Sequence, residues 1–400
     1  MALADRIREE IESNVADEFD PTIGHSPDLA DYSGVNFEET QIEQEPGGDW
    51  YEFDWVDESL NTEYYYHIRD EWAGLLSNKR FLGVDGGSTR VERDRVHYID
   101  ARAGYASTDA TAEPVQKVEE LDRNQSFFLI DKAIADEDAT VYEQIIDFLV
   151  YESDTVFWTT WDSDSDPQNQ SLGIEVKLRT LTELNAIRKI SEEYDSSEVD
   201  FVLKDGSIYP TSVKAVRGEE ERVHEDDRDV LDTIKEIEEN DFLVVGLVKR
   251  VSTAAFAQEM AKLREDIDSD RFNDDYTFLQ GFLEPMQRTP YFIYNPKGAK
   301  RVEEERWKPV CTCIKTRQDE VFRVEMPKHY MTEKEIHEGI VEHVFALSEK
   351  NHGSIPVPVD NADDYFEIGL REEQRMGSMI DELFDEEKDI SLHPPYRGIV

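Results

Sequence analysis

Cysteine is almost absent. Two residues in 400, Cys311 and Cys313, exclude a disulfide framework and fit a reducing compartment. They alternate in Val310-Cys311-Thr312-Cys313-Ile314, which puts both on one face of a strand. No further pair of soft ligands stands near them, so strand packing accounts for both. Long apolar runs are missing too. The start, Met1-Ala2-Leu3-Ala4-Asp5-Arg6, has no signal core, and no stretch approaches the ~20 apolar residues of a membrane span. A cytoplasmic protein with no membrane partner is expected. Basic residues are scarce as well: 43 Lys and Arg face 92 Asp and Glu, a net charge of -49. The acid is spread along the whole chain, which reads as adaptation to very high intracellular salt. At ~1 M ionic strength the Debye length falls to roughly 3 Å, so surface acid neither self-repels strongly nor repels DNA at range. Net charge therefore does not exclude a nucleic-acid substrate here.

What is present is globular: 38% hydrophobic and 10% aromatic residues, in a length that allows a sizeable core. Two strand ends carry the chemistry, Phe81-Leu82-Gly83-Val84-Asp85-Gly86-Gly87-Ser88 and Phe201-Val202-Leu203-Lys204-Asp205-Gly206-Ser207. Each apolar run predicts a buried strand closed by an Asp-Gly turn. An ionised carboxylate is costly at the end of a buried strand unless a cation or a donor meets it. Singly, Asp-Gly merely closes a turn. As a pair, Asp85 and Asp205 point to one site where two carboxylates converge on a divalent metal. Ser88 and Ser207 are expected to fix their turns rather than act as nucleophiles.

Residues 1–75 are expected to form a helical and irregular extension, 76–385 the main domain and 386–400 a tail. After the strand to Asp85 come a charged turn, Arg90 to Arg95, and a strand from Val96 to Ala106, which together make a hairpin. A strand at Ser126 to Ile130, a helix at Asp136 to Val150 and an exposed loop at Asp162 to Gln170 follow. Ile174, Leu178, Leu181, Leu184, Ile187 and Ile190 recur at helical steps and predict a helix over Leu172 to Tyr194. The strand to Asp205 is next, then an acidic insertion (Gly218 to Asp229) and a helix. The strand Phe242 to Val248 runs into Lys249-Arg250. A helix (Ala254 to Ile267), three strands, a helix at Glu333 to Glu349 and a last helix at Asn361 to Phe384 complete the order. This is the layout of an α/β, RNase H-like fold, a mixed sheet flanked by helices. Such a fold collects acids from the first strand, an intervening helix, the fourth strand and a late helix. Those places hold Asp85, Glu183 or Glu175, Asp205, and one of Asp360, Asp363 and Asp364. His337 and His343, six apart on a helix, suit packing; His352 lies in the turn before the late motif.

These motifs, with Phe322-Arg323-Val324-Glu325-Met326-Pro327 and Gly353-Ser354-Ile355-Pro356-Val357-Pro358 leading into Ala362-Asp363, resemble the NurA nuclease family of haloarchaeal type. The chain departs from the family at Ile355, where tyrosine is common, and at Asp363, where histidine is. The resemblance implies metal-dependent 5'-3' exonuclease and single-strand endonuclease activity in double-strand break end resection. It further implies a homodimer docking on a HerA-type hexameric ATPase, with DNA as substrate. Asp85, Glu183, Asp205 and Asp363 would hold Mn2+ or Mg2+, two ions, with Lys249 neutralising a phosphate. Asp363 should then lie within about 6 Å of Asp85 or Asp205. Arg90, Arg93, Arg95 and Lys204 are candidate DNA contacts, and Lys297, Lys300 and Arg301 form a second basic patch. Two rivals remain: an actin- or sugar-kinase-like phosphotransferase using Gly83 to Arg90 as a phosphate turn, and a non-catalytic acidic adaptor of a translocase.

Overall fold

The computed structural model describes residues 51–56, 65–68, 80–93, 96–109, 117–131, 155–161, 167–197, 199–209, 230–249, 251, 253–272, 274–296 and 302–385. The chain divides into a unit of Met1–Ile42, which lies outside the described residues, and a unit of Glu43–Val400. In order come β1 (Tyr51–Trp55), β2 (Tyr66–His67), β3 (Arg80–Glu92), β4 (Val96–Asp109), β5 (Lys117–Asp131) and β6 (Thr155–Trp161). Helix α1 (Pro167–Glu193), β7 (Phe201–Asp205), α2 (Val230–Glu239), β8 (Val244–Val248), α3 (Ala255–Leu263) and α4 (Asp275–Phe282) follow. Then come β9 (Gln287–Arg288), β10 (Phe292–Pro296), β11 (Pro309–Lys315), β12 (Val321–Pro327), and helices α5 (His329–Thr332), α6 (His337–Lys350), α7 (Val357–Phe366) and α8 (Leu370–Asp385).

Twelve strands form one mixed sheet in the order β1-β10-β11-β12-β8-β7-β3-β4-β5-β6, with β9 pairing β11 and β2. The α/β class expected from the sequence, a mixed sheet flanked by helices, is what the chain forms. At its centre β3 runs antiparallel to β4 and parallel to β7, and β7 runs parallel to β8. β7, β8 and the first half of β3 are buried on both faces, so they read as near-continuous apolar runs. Phe81, Phe201, Leu203 and Leu247 pack with Val344 and Phe345 of α6. Leu82, Val84 and Val202 alternate to the other face, against Leu184, Ile187 and Ile190 of α1. Cys311 and Cys313 are fully buried with Phe256, Met260 and Leu279, and burial raises both thiols. They are inert packing residues, as their alternation predicted.

Four expectations need correction. The boundary at residue 75 falls inside the sheet, because β1 pairs β10 and β2 pairs β9. The loop expected over Asp162 to Gln170 gives way at Pro167, which opens α1; proline suits a helix's first turn, where its missing N–H costs nothing. Asp85 does not close a turn, since β3 continues through Gly86 and Gly87 to Glu92. The last helix is two, α7 and α8. Arg102 donates to the carbonyls of Phe366 and Glu367, which helps to end α7 there. Residues 1–50 of the expected extension, the helix expected at Asp136 to Val150, the insertion Gly218 to Asp229 and the tail 386–400 lie outside the described residues.

Beyond β8, Asp275 anchors the segment leading into α3. Its carboxylate accepts from the backbone N–H of Phe256 (3.0 Å) and Ala257 (2.8 Å) and from Thr253 (3.1 Å). Burial outweighs these bonds and pushes its pKa up to about 6. A carboxyl raised above its unfolded value of about 3.9 binds more protons when folded. Its contribution to stability is therefore full below about pH 4 and is lost as the pH rises through about 6. In urea titrations at fixed salt, Asp275→Asn should flatten the fall in midpoint across that window. An unchanged slope would remove Asp275 as one of its sources.

Candidate metal centre and nuclease site

Alternation along β3 decides where Asp85 points. A Cβ at Gly83 would lie 2.1 Å from the carbonyl carbon of Pro358, and one at Gly87 1.9 Å from the carbonyl oxygen of Phe366. Both contacts are with α7, so Gly83, Asp85 and Gly87 share the face it covers. The missing side chains let the helix lie directly on the strand. Asp85 is buried beneath it and accepts from the N–H of Gly86 at 2.7 Å. Parallel pairing sets Val84 beside Lys204, which brings the next residues, Asp85 and Asp205, alongside each other. The turn after Asp205 is a true one, with Gly206 at φ +80°.

Lys249, immediately past β8, completes the arrangement. Its Nζ lies 2.5 Å from Oδ2 of Asp363, 3.4 Å from Oδ2 of Asp205 and 3.9 Å from Oδ2 of Asp85. One ammonium thus meets carboxylates from β3, β7 and α7. Burial, then the charges of Asp205 and Glu183, push Asp85 well above the usual carboxylate range. Burial raises Asp205 too, against the pull of Lys249. Burial acts the same way on half-exposed Asp363, but the Lys249 hydrogen bond outweighs it and Asp363 lies lower. Burial disfavours the charged form of Lys249, yet Asp205 and Asp85 hold its proton on more firmly than usual.

The donor set suits a hard divalent cation: oxygen ligands only, on rigid elements, carrying an excess of negative charge. Among the described residues no three acids, histidines or cysteines are gathered as a ready metal cage. The three aspartates are arranged around an ammonium instead.

Glu183 stands apart from that trio. It reaches the strand where Gly86 has no side chain, and meets Lys204 on the α1 side of the sheet, Oε2 to Nζ 2.6 Å. Arg179, one turn earlier on α1, lies 3.5 Å from its other oxygen. Glu183 therefore adds charge to the cluster from behind. Glu175 is tied to Ser88 at 2.9 Å and lies 3.9 Å from Arg90. Asp360 accepts from Asn351 at 2.8 Å, Asp364 is exposed, and His352 sits exposed in a turn at φ +58°. His343 packs against Phe81 and Phe201, and His337 against Tyr291.

Comparison with known proteins bears on this arrangement. Among protein families, the NurA domain matches residues 79–368. The chain belongs to the NurA family. That membership makes it a nuclease, and the match spans Asp85, Glu183, Asp205, Lys249 and Asp363. Among solved structures, the NurA nuclease from Sulfolobus solfataricus is 15% identical, with a TM-score of 0.47 over 83% of this chain and 91% of that one. A NurA bound to dAMP and manganese is 10% identical, with a TM-score of 0.31 over 78% and 89%. The Argonaute of Marinitoga piezophila, in complex with 5' OH guide RNA, is 14% identical, with a TM-score of 0.25 over 72% and 30%. No curated protein matches the sequence. Among the described residues of this NurA-family chain, no helix is long and apolar enough to cross a membrane.

The candidate DNA contacts are placed differently from expectation. Lys204 is buried, held by Glu183 and by the carbonyl of Asp205 at 2.6 Å, so it is a fixed counter-charge and not a surface contact. Arg90 pairs with Glu92 at 2.9 Å, and Arg93 donates to the carbonyls of Glu92 and Gly377. Arg95, Lys297, Lys300 and Arg301 lie outside the described residues. Two residues of the site were given no role from the sequence. Arg179 is one, legible as the i−4 partner of a helical glutamate. Glu325, on β12, is the other. Its Oε2 accepts from Ser207 Oγ (2.7 Å) and the N–H of Ile208 (3.1 Å), and its Oε1 meets Arg323 at 2.6 Å. This buried pair braces the turn that carries Asp205. Its signal was Arg323 and Glu325, two apart on one face of an otherwise apolar strand.

Proposed function

We propose that this chain is a divalent-metal-dependent deoxyribonuclease of RNase H-like, haloarchaeal type that processes DNA ends. The observation that carries the reading is the convergence of Asp85, Asp205 and Asp363 on a single cation, Lys249 Nζ. The central strand order β5-β4-β3-β7-β8 supports the RNase H-like assignment. Asp85, Asp205 and Asp363 would hold Mn2+ or Mg2+, with Glu183 contributing charge from the α1 side. A divalent ion held there would supply activation of an attacking water and stabilisation of the leaving oxygen of a phosphodiester, and two ions are proposed. The turn at Gly206 and the exposed edge of α7 at Asp363 leave a side on which a strand of DNA can approach. Polarity from 5' to 3', single-strand endonuclease activity, a homodimer and a HerA-type hexameric ATPase as partner in break resection complete the proposal.

A kinase-like reading loses its main support. Gly86 and Gly87 lie within a continuous strand, with Gly87 packed under Phe366, and form no phosphate turn. The adaptor reading gives no reason to bury a strand-borne acid such as Asp85 beside Asp205 and beneath α7. The deciding assay incubates the full chain with end-labelled linear DNA, duplex and single-stranded, in molar KCl with Mn2+ and no ATP. Release of nucleotides from 5'-labelled ends is expected, with none in EDTA, and added hexameric ATPase with ATP should lengthen the resected tracts. Intact DNA under every divalent ion, or phosphotransfer from ATP, would overturn the proposal.

A further inference from the structure

We infer that Lys249 competes with a divalent ion for the same carboxylate oxygens, acting as the site's resident counter-cation and setting its metal affinity. This rests on the metal-dependent reading above. The Lys249 ammonium lies within 3.9 Å of oxygens from Asp85, Asp205 and Asp363. A hard divalent ion needs such oxygens ~2.0–2.6 Å from its own centre. An ammonium and a divalent ion cannot occupy one point, and their like charges repel at this range. Two lysines serve the cluster, and their settings differ. Lys204 has a side chain 3% exposed, clamped between Glu183 and the Asp205 carbonyl, and has no way out. The Lys249 side chain is 20% exposed, and its shortest bond is to Asp363, the outermost of the three acids at 50%. A compact charge on a flexible four-carbon stem can leave by that side. Lys249 would then neutralise the acids when no metal is bound and yield its oxygens when one arrives.

Direct Mn2+ titration of the full chain in molar KCl, followed by the paramagnetic resonance of free Mn2+, tests this without any turnover. Lys249→Gln, which keeps a donor for Asp363 but removes the charge, should bind Mn2+ at least tenfold tighter than wild type. Lys249→Arg, which keeps the charge, should stay within about threefold. Equal or weaker binding by Lys249→Gln would overturn the inference. Asp85→Asn in the same titration separates the two levels. If wild type binds saturably, Asp85→Asn does not, and Lys249→Gln gains nothing, the metal site stands and the competition falls. If wild type shows no saturable binding, both fall. A second measurement needs no variant: the rate of Lys249 acetylation by limiting acetic anhydride, read by peptide mass spectrometry. It should rise several-fold with saturating Mn2+ while Lys204 stays slow. An unchanged or slower rate at Lys249 would overturn the inference.

Discussion

Asp85→Asn and Asp205→Asn should each lower Mn2+-dependent DNA cleavage by at least about a thousandfold, or roughly 4 kcal/mol of barrier, while the melting temperature holds or rises. The two effects have one cause. Asp85 and Asp205 are raised by burial, and Asp85 further by Asp205 itself, so keeping both ionised at neutral pH works against folding. Their contribution to stability is lost as pH rises through their elevated folded values, and an amide escapes that loss. In Asp85→Asn the new amide oxygen can still accept from the Gly86 N–H, so that local bond survives the change. A neutral amide oxygen is a far poorer ligand for a hard cation than a carboxylate, so function should suffer where stability does not. Cleavage assays and thermal melts on the same preparations give both numbers. Activity within tenfold of wild type in either variant would remove these carboxylates from the chemistry. A large drop in melting temperature would instead make them structural.

Much of this arrangement is legible in the sequence, and the misses have physical reasons. The second Asp-Gly is a turn because Gly206 adopts a positive φ, which its place at the end of a five-residue strand that opens with three apolar residues announces. The first is not a turn. Gly83 and Gly87 flank Asp85 at period two, and that spacing marks a strand pressed against another backbone on one face. Local propensity alone reads the same glycines as a stop. Glu183 is a buried acid of α1, and its mid-helix place among leucines is the signal. That the helix lies across the sheet from α7, with Lys204 between, depends on the pairing of β3 with β7 and on no local pattern. The break between α7 and α8 likewise depends on Arg102, more than two hundred residues away in sequence. Asp363, set apart from its two neighbours by its place after Ala362, is the acid that meets Lys249. Asp364, one residue later, points elsewhere because a helix turns about 100° per residue, and Asp360, one turn earlier, is held by Asn351.

Salt should act on this enzyme in the sense opposite to most DNA-binding proteins, with cleavage and thermal stability both rising as KCl is raised towards molar concentration. A protein binding DNA through cations releases counterions, so its affinity falls steeply as salt rises. Here the candidate cations are already engaged: Arg90 by Glu92, Arg93 by main-chain carbonyls, Lys204 by Glu183. Among the described candidates few charges remain to be displaced from phosphate, and their counterion term is small. Against it stands a net charge of -49, which repels both itself and the DNA. At ~0.1 M salt the Debye length is about 10 Å, long enough for neighbouring surface acids and an approaching phosphate chain to repel; at ~1 M it is about 3 Å. Screening therefore removes a large unfavourable term and sacrifices a small favourable one. The increase should level off once the screening length drops below the spacing of surface acids. KCl titrations of cleavage rate and of melting temperature, with Mn2+ held saturating, would show the two curves climbing together. Maximal cleavage at low salt would refute the halophilic reading. It would also restore the acidic surface as an argument against DNA as the substrate.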